Sequence, residues 1–395
     1  MKKFDFDKPV ERHNTNSYKW DSLDMENVIP LWVADMDFKT APCIIEALKK
    51  RVEHGIFGYT RVPDEYYQAT VDWFHRKHNW DFSPSDMIYT SGVVPAISAI
   101  IKALTQPGDH VIVQTPVYNC FFSSIRNNGC EPSENSLIYN GDYYTIDFED
   151  LERRAADPKA KVMLLCNPHN PTGRVWNYNE LTRIYEICKR NGVTVVSDEI
   201  HCELVYTQFV YIPFCSISPE AAQDSIACVS PSKAFNMAGL QIANIICADE
   251  EKRKKIDKAI NINEVCDVNP FGVIATIQAY NNGEEWLQEL IDYLQVNYEF
   301  LVTFFRNELP DYPVTKLEAT YLVWVNCKKA GMTSAQLEEK LIRDGGVWLN
   351  PGSMYGIDGE GFMRINIACP RSRLEEGLKR LAKVLKDPGD YMALP

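Results

Sequence analysis

The chain has 395 residues, 45% hydrophobic and 24% charged, the balance of a folded globular protein rather than a disordered or fibrous one. That length exceeds one compact core, so two domains are expected. Fifty-four acidic against 41 basic residues give a net charge of -13, which repels polyphosphate backbones and disfavours nucleic-acid binding.

The first twenty residues carry acidic side chains and no apolar core of the kind a signal peptide needs. No stretch approaches the ~20 uninterrupted apolar residues of a membrane span. The expectation is a cytoplasmic protein with no membrane association. The 12 cysteines are scattered and form no C-x-x-C pair; neither a metal site nor a dithiol centre is expected, and buried thiols in a reducing compartment account for them.

Between about residues 85 and 250, short β-rich runs alternate with helical patterns. The runs 87–90, 110–114, 162–166, 193–197, 225–230 and 242–248 read as strands buried on both faces, and Tyr178 to Arg190 places Leu181, Ile184, Tyr185 and Cys188 at helical spacing. This alternation predicts an α/β fold with a mainly parallel sheet covered by helices, its ligands gathering at the carboxyl ends of the strands. A second pattern follows: a long helix over 284–309, a strand at 321–325, a helix over 334–343, a strand at 362–368 and a closing helix over 374–385. The first fifty residues lack the alternation and are expected to join this second unit. The division is therefore a large domain over 50–285 and a smaller α/β domain from 1–49 and 286–395.

Polar loops follow the predicted strands. After 87–90, Gly92 allows a turn and the amides of Val93 and Val94 open a helix, a potential anion cradle. After 110–114, Tyr118 offers a ring for a planar cofactor or for core packing. After 162–166 comes NPHNPTGR, whose Asn-Pro turns present Asn170. After 193–197, Asp198 is either a helix cap or the partner of a cation. In SPSKAFNMAGL, Lys233 follows a strand between Ser230 and Ser232; most such lysines are solvated, yet a desolvated one is a nucleophile. An imine-forming amine, an anion cradle, a stacking ring, an amide donor and a carboxylate together meet the requirements of pyridoxal 5'-phosphate. No G-x-G-x-x-G follows the first strand and no G-x-x-x-x-G-K-[ST] occurs.

The strings LWVADMDF, FGYT, TPVY, NPHNPTGR, SDEIH, SPSKAFNMAGL, NPFG, EATYLVWV and FMRINIACPRSRLEEGLKR resemble the fold-type I pyridoxal-phosphate enzymes of the aminotransferase class I/II superfamily, and within it the MalY/PatB group of cystathionine β-lyases. The resemblance spans about residues 30–385. It implies a large domain with a mainly parallel seven-stranded sheet plus a smaller α/β domain. It also implies Lys233 as the Schiff-base lysine, Asp198 at the pyridine nitrogen, Asn170 at the phenolic oxygen and Tyr118 over the ring. Gly92, Val93, Val94, Ser230 and Ser232 would hold the phosphate, joined by Tyr59 from the other subunit of a homodimer. Arg364, with the backbone near Ala34, would take the substrate carboxylate. His201 and Gln241 stand where aminotransferases often have tyrosine and arginine; His201 is assigned to the cofactor, with a structural histidine as the alternative. The implied reaction is α,β-elimination from an S-substituted L-cysteine such as cystathionine, with Lys233 as base and Lys233 or Tyr118 protonating the leaving sulfur. The rivals are an aminotransferase and a cofactor-holding regulatory protein with little turnover.

Overall fold

The alternation between residues 85 and 250 folds into one seven-stranded sheet. The computed structural model describes residues 3–387 apart from 24, 26, 263, 265 and 266. The strands are β1 (Met87–Thr90), β2 (His110–Val113), β3 (Glu131–Glu134), β4 (Ala160–Cys166), β5 (Thr194–Asp198), β6 (Ile226–Val229) and β7 (Ala243–Ile246), in the order β1-β7-β6-β5-β4-β2-β3. β7 runs antiparallel to both neighbours and the other pairs are parallel. Two reversals return β1 to the common direction, so the carboxyl ends of β1, β2, β4, β5 and β6 share one edge with the start of β7. The central strands are buried on both faces, β6 and β7 at every residue, as Val/Ile/Leu-rich runs under helices must be.

The helix Tyr178–Arg190 matches its sequence pattern at both ends. Asn177 accepts from the Glu180 amide while the Glu180 side chain accepts from the Asn177 amide, a reciprocal cap. Its buried face is Leu181, Ile184, Tyr185, Ile187 and Cys188. On the opposite face of the sheet, the helix Val93–Leu104 buries Val93, Ala96, Ile97, Ile100 and Ile101 beneath Val111, Val162 and Val196.

The second pattern is also present. The helix Glu284–Glu308 buries Leu287, Leu290, Ile291, Leu294, Leu301 and Phe305. After it come β8 (Leu322–Asn326), β9 (Asn350–Pro351) and β10 (Phe362–Asn366), which form a three-stranded antiparallel sheet in the order β8-β10-β9. The helix expected over 334–343 is α-helical only at Ser334–Lys340 and widens into a π-turn at Leu341–Gly345; the closing helix starts earlier, at Arg371, and ends at Lys386.

The segment before residue 42 lies along this small sheet. Ile29–Pro30 pairs in parallel with Val347–Trp348, the Asn366 amide donates to the Leu31 carbonyl, and the Asp37 amide donates to the Ala368 carbonyl. The buried Asp37 carboxylate anchors it: Arg12, Lys19 and Arg373 surround the carboxylate at 2.9, 3.3 and 3.1 Å, and the Trp20 indole donates to it. Burial pushes this carboxyl up, and the three cations together outweigh it, leaving the group below its ordinary range.

Candidate active site

Where the strand ends gather, a cavity of about 430 Å³ opens between the large sheet, residues 32–34 and β10. Gly92, Val93, Val94, Tyr118, Asn170, Asp198, His201, Ser232, Lys233, Ala34 and Arg364 all line it. Residues separated by up to 330 positions in the chain thus meet around one space.

Asp198 is the last residue of β5 and Glu199 is the next. Because successive side chains of an extended chain point to opposite faces, only the first of this acidic pair reaches the cavity. Glu199 is closed off beneath it, accepting from Ser197 Oγ at 2.8 Å, the Phe214 amide at 2.8 Å and the Tyr211 hydroxyl. Burial raises the Asp198 carboxyl to about 7, against the stabilising Ile200 amide, which donates to it at 3.1 Å, and the Lys233 charge. Lys233 leaves the loop after β6. Burial and then the Arg364 charge lower its ammonium to about 8, with Asp35 and Asp198 acting the other way. Its Nζ donates to the Ala34 carbonyl at 2.8 Å.

Arg364 sits mid-strand in β10, in register with Trp324 on one side and Asn350 on the other. Nη1 donates to Asn170 Oδ1 at 3.2 Å and Nη2 to the Trp32 carbonyl at 2.8 Å; the guanidinium lies 5.1 Å from the centre of the Tyr355 ring. A guanidinium only donates, so the Asn170 oxygen must face it and the amide NH₂ remains a donor. Two buried nitrogens of cavity-lining residues, Arg364 Nε and His201 Nδ1, have no hydrogen-bond partner among the described residues. Burial and the charges of Lys233 and Arg364 lower His201 to about 3, so its ring is neutral. Unspent buried donors and acceptors of this kind are what an anionic, aromatic ligand satisfies.

The loop LWVADMDF acts through its backbone. The Trp32 carbonyl accepts from Arg364 and Asn350, the Val33 and Asp35 carbonyls accept from Asn366, the Ala34 carbonyl from Lys233 and Tyr321, and the Met36 carbonyl from Arg12 and Asn236. Composition and spacing gave no sign of this, nor of Asn350, Tyr355 and Cys120 in the wall.

Three expectations need correction or qualification. Gly92 has φ 161°, extended backbone rather than a glycine-specific turn; its place as the cap before the helix Val93–Leu104 still leaves the Val93 and Val94 amides as first-turn donors. Ser230 does not line the cavity: its hydroxyl donates to the Ile242 carbonyl at 2.7 Å and accepts from the Ser232 amide at 3.1 Å, so its own proton is already committed. Tyr59 is 97% exposed and outside the cavity of its own chain.

The fold and the site define a protein of the aminotransferase type, and the comparisons agree. The chain matches the family Aminotransferase class I and II over residues 26–381 and belongs to it. Within that family it falls with the MalY/PatB group. It is 42% identical over 384 residues to cystathionine beta-lyase PatB of Bacillus subtilis (strain 168), covering 96% of this chain and 99% of that protein. It is 34% identical over 389 residues to protein MalY of Escherichia coli (strain K12), covering 97% and 99%. The structure of cystalysin from Treponema denticola, which contains a pyridoxal 5'-phosphate cofactor, superposes with a TM-score of 0.95 at 35% identity over 98% of this chain and 100% of that one.

Proposed function

We propose that this chain is a pyridoxal-phosphate-dependent carbon–sulfur lyase that eliminates thiol from cystathionine or a related S-substituted L-cysteine, giving pyruvate and ammonia. The observation that carries the reading is the convergence of Lys233, Asp198 and Arg364 on one cavity, with a relative named for this activity at 42% identity over nearly the whole chain. The unpartnered His201 Nδ1 and Arg364 Nε fit the group.

Lys233, Asp198, Asn170, His201 and Tyr118, with Gly92, the Val93 and Val94 amides, Ser230 and Ser232, would hold the cofactor. When bound, it supplies an electron sink for charge developing at the substrate's α-carbon. Lys233, lowered to about 8, is neutral in an appreciable fraction near neutral pH and takes the α-proton. Arg364, its fork held by Asn170 and the Trp32 carbonyl, orients the α-carboxylate. Asp198, whose value of about 7 lies within the working range, would hold the cofactor's ring nitrogen protonated. Tyr118, whose hydroxyl burial pushes up, keeps its proton at working pH and donates a hydrogen bond to the departing sulfur, while Lys233, once protonated, is the stronger acid.

The remaining assignments belong to this reading. Residues 50–285 form the cofactor domain and 1–49 with 286–395 the smaller one. The protein is a cytoplasmic homodimer whose Tyr59 completes the partner's site; among the described residues no helix is long and apolar enough to cross a membrane. The deciding assay supplies purified protein with cystathionine and S-alkyl cysteines and follows pyruvate and thiol without added keto acid. Stoichiometric release of both is expected; turnover that requires a keto acid would assign the chain to the aminotransferases instead.

A further inference from the structure

Tyr321, just ahead of β8, is completely buried and lies behind the cavity wall rather than in it. Its hydroxyl donates to the Ala34 carbonyl at 2.9 Å, and Lys233 Nζ donates to the same oxygen at 2.8 Å. A carbonyl oxygen has two lone pairs, and these donors use both. The oxygen is also fixed in place: the Asn366 amide NH₂ holds the carbonyls on either side, those of Val33 and Asp35, while Asn366 Oδ1 accepts from the Ala368 amide at 2.8 Å. Neither tyrosine nor lysine can therefore draw the acceptor away from the other.

We propose that Tyr321 is a positioning residue for Lys233: by donating to the Ala34 carbonyl it fixes that acceptor and reduces its pull on the charged form of the lysine. The inference rests on the assignment of Lys233 as the base. Two donors on one oxygen share its electron density, so an acceptor left to Lys233 alone stabilises the ammonium more strongly. The neutral amine is the form that takes a proton, and Tyr321 thereby keeps more of the lysine in its working form.

Other groups face the same amine. Arg364 from β10 disfavours its charge, whereas Asp198 from β5, Asp35 from the loop LWVADMDF, and Cys120 from the helix Asn119–Asn127 favour it. His201, which lies against Tyr321 with ring centres 6.3 Å apart, is neutral across the working range. Tyr321→Phe removes one oxygen and none of these charges, so a change in the titration of Lys233 reports on the shared carbonyl.

The test measures the pH dependence of Lys233 acetylation in the cofactor-free full-length protein by peptide mass spectrometry, for wild type and Tyr321→Phe. The same pair is compared by kcat–pH profiles of the loaded enzyme. The variant is expected to titrate about half a unit higher, with roughly threefold less neutral amine at neutral pH, and the acid limb of kcat should move with it. An unchanged or lowered titration in a folded variant overturns the proposal. If Tyr321→Phe fails to fold, Tyr321→Leu removes the same donor and is read in the same way. If the wild type eliminates nothing, the lyase reading falls while the acetylation result still decides the role of Tyr321.

Discussion

Asp198 and Glu199 are adjacent carboxyls, both buried and both raised by burial, yet they differ in what surrounds them. Glu199 accepts from Ser197, Tyr211, Phe214 and Asn167 and is structurally satisfied; Asp198 accepts from one amide and looks into the cavity. The folded value of Asp198, about 7, lies above the ~3.9 of an unfolded chain. Between those two values the native state binds more protons than the unfolded one, so this group lowers stability as pH rises through the window. Asp198→Asn should therefore raise the stability of the cofactor-free protein at pH 8, by up to about 4 kcal/mol, while cutting turnover by roughly a hundredfold or more. Glu199 is raised by burial as well, but Glu199→Gln leaves one of its donors unpaired at a cost of about 1–3 kcal/mol, so its melt should gain less than that of Asp198→Asn while turnover is kept. Urea melts of the two cofactor-free variants separate a working acid from a structural one. Lys233→Ala belongs with Asp198→Asn: turnover should fall by roughly 10² to 10⁴, and borohydride should no longer fix cofactor to the chain, whereas in wild type the adduct should be recovered on Lys233.

The loop after β4 shows how an element keeps a side chain in place. Arg174 is buried. Its Nη2 reaches both oxygens of Glu180 at 2.9 Å and its Nε reaches Glu318 at 3.2 Å, while its plane lies against Tyr143 and Trp176. Beside it, Gly173 has φ +73°, and an added Cβ would lie 2.5 Å from Leu317 Cδ1. Inside the turn the His169 ring bridges Thr172 Oγ1 and the Gln114 carbonyl, and burial lowers it to about 3, so it is neutral. These bonds close the turn that holds Asn170 against Arg364. Arg174→Met should cost about 1–3 kcal/mol in urea denaturation, because the buried Glu318 loses its closer cation and keeps only the Val175 amide at 2.9 Å and Lys316 at 3.5 Å, and should raise KM more than it lowers kcat. Most of this element was legible in the sequence, since Asn-Pro turns, Gly173 and the apolar run of β4 are local signals. The same holds for the Tyr178–Arg190 helix, where a cap and an apolar stripe agree. β3 was not legible: its residues EPSE carry no apolar pattern, and Pro132 is tolerated because the strand is an edge. Residues 32–36 were legible only through the resemblance, which pointed to the backbone near Ala34; composition and spacing gave nothing there, because backbone carbonyls do the work and those leave no trace in side-chain chemistry. For Ser230, spacing places a hydroxyl near the site but does not say where its proton goes, and here it goes to the Ile242 carbonyl.

At the scale of the whole molecule, the segment 55–63 links the helices Pro42–His54 and Asp64–His78 without regular structure of its own, and it and the preceding turn put Val52, Ile56, Phe57 and Tyr59 into solvent. A run of exposed large apolar side chains is the kind of surface that marks contact with another chain, and in a two-fold dimer each subunit gives the other what it receives. If Tyr59 serves the partner's site, Lys233 and Tyr59 of one working site come from different chains. Lys233→Ala and Tyr59→Ala homodimers should both be strongly impaired. In a hybrid of the two, one site carries both defects and the other carries neither. Random pairing makes half the dimers hybrids with one intact site each, so co-refolding equal amounts should restore about a quarter of wild-type activity. Activity no higher than the average of the two parents would place Tyr59 outside the partner's site.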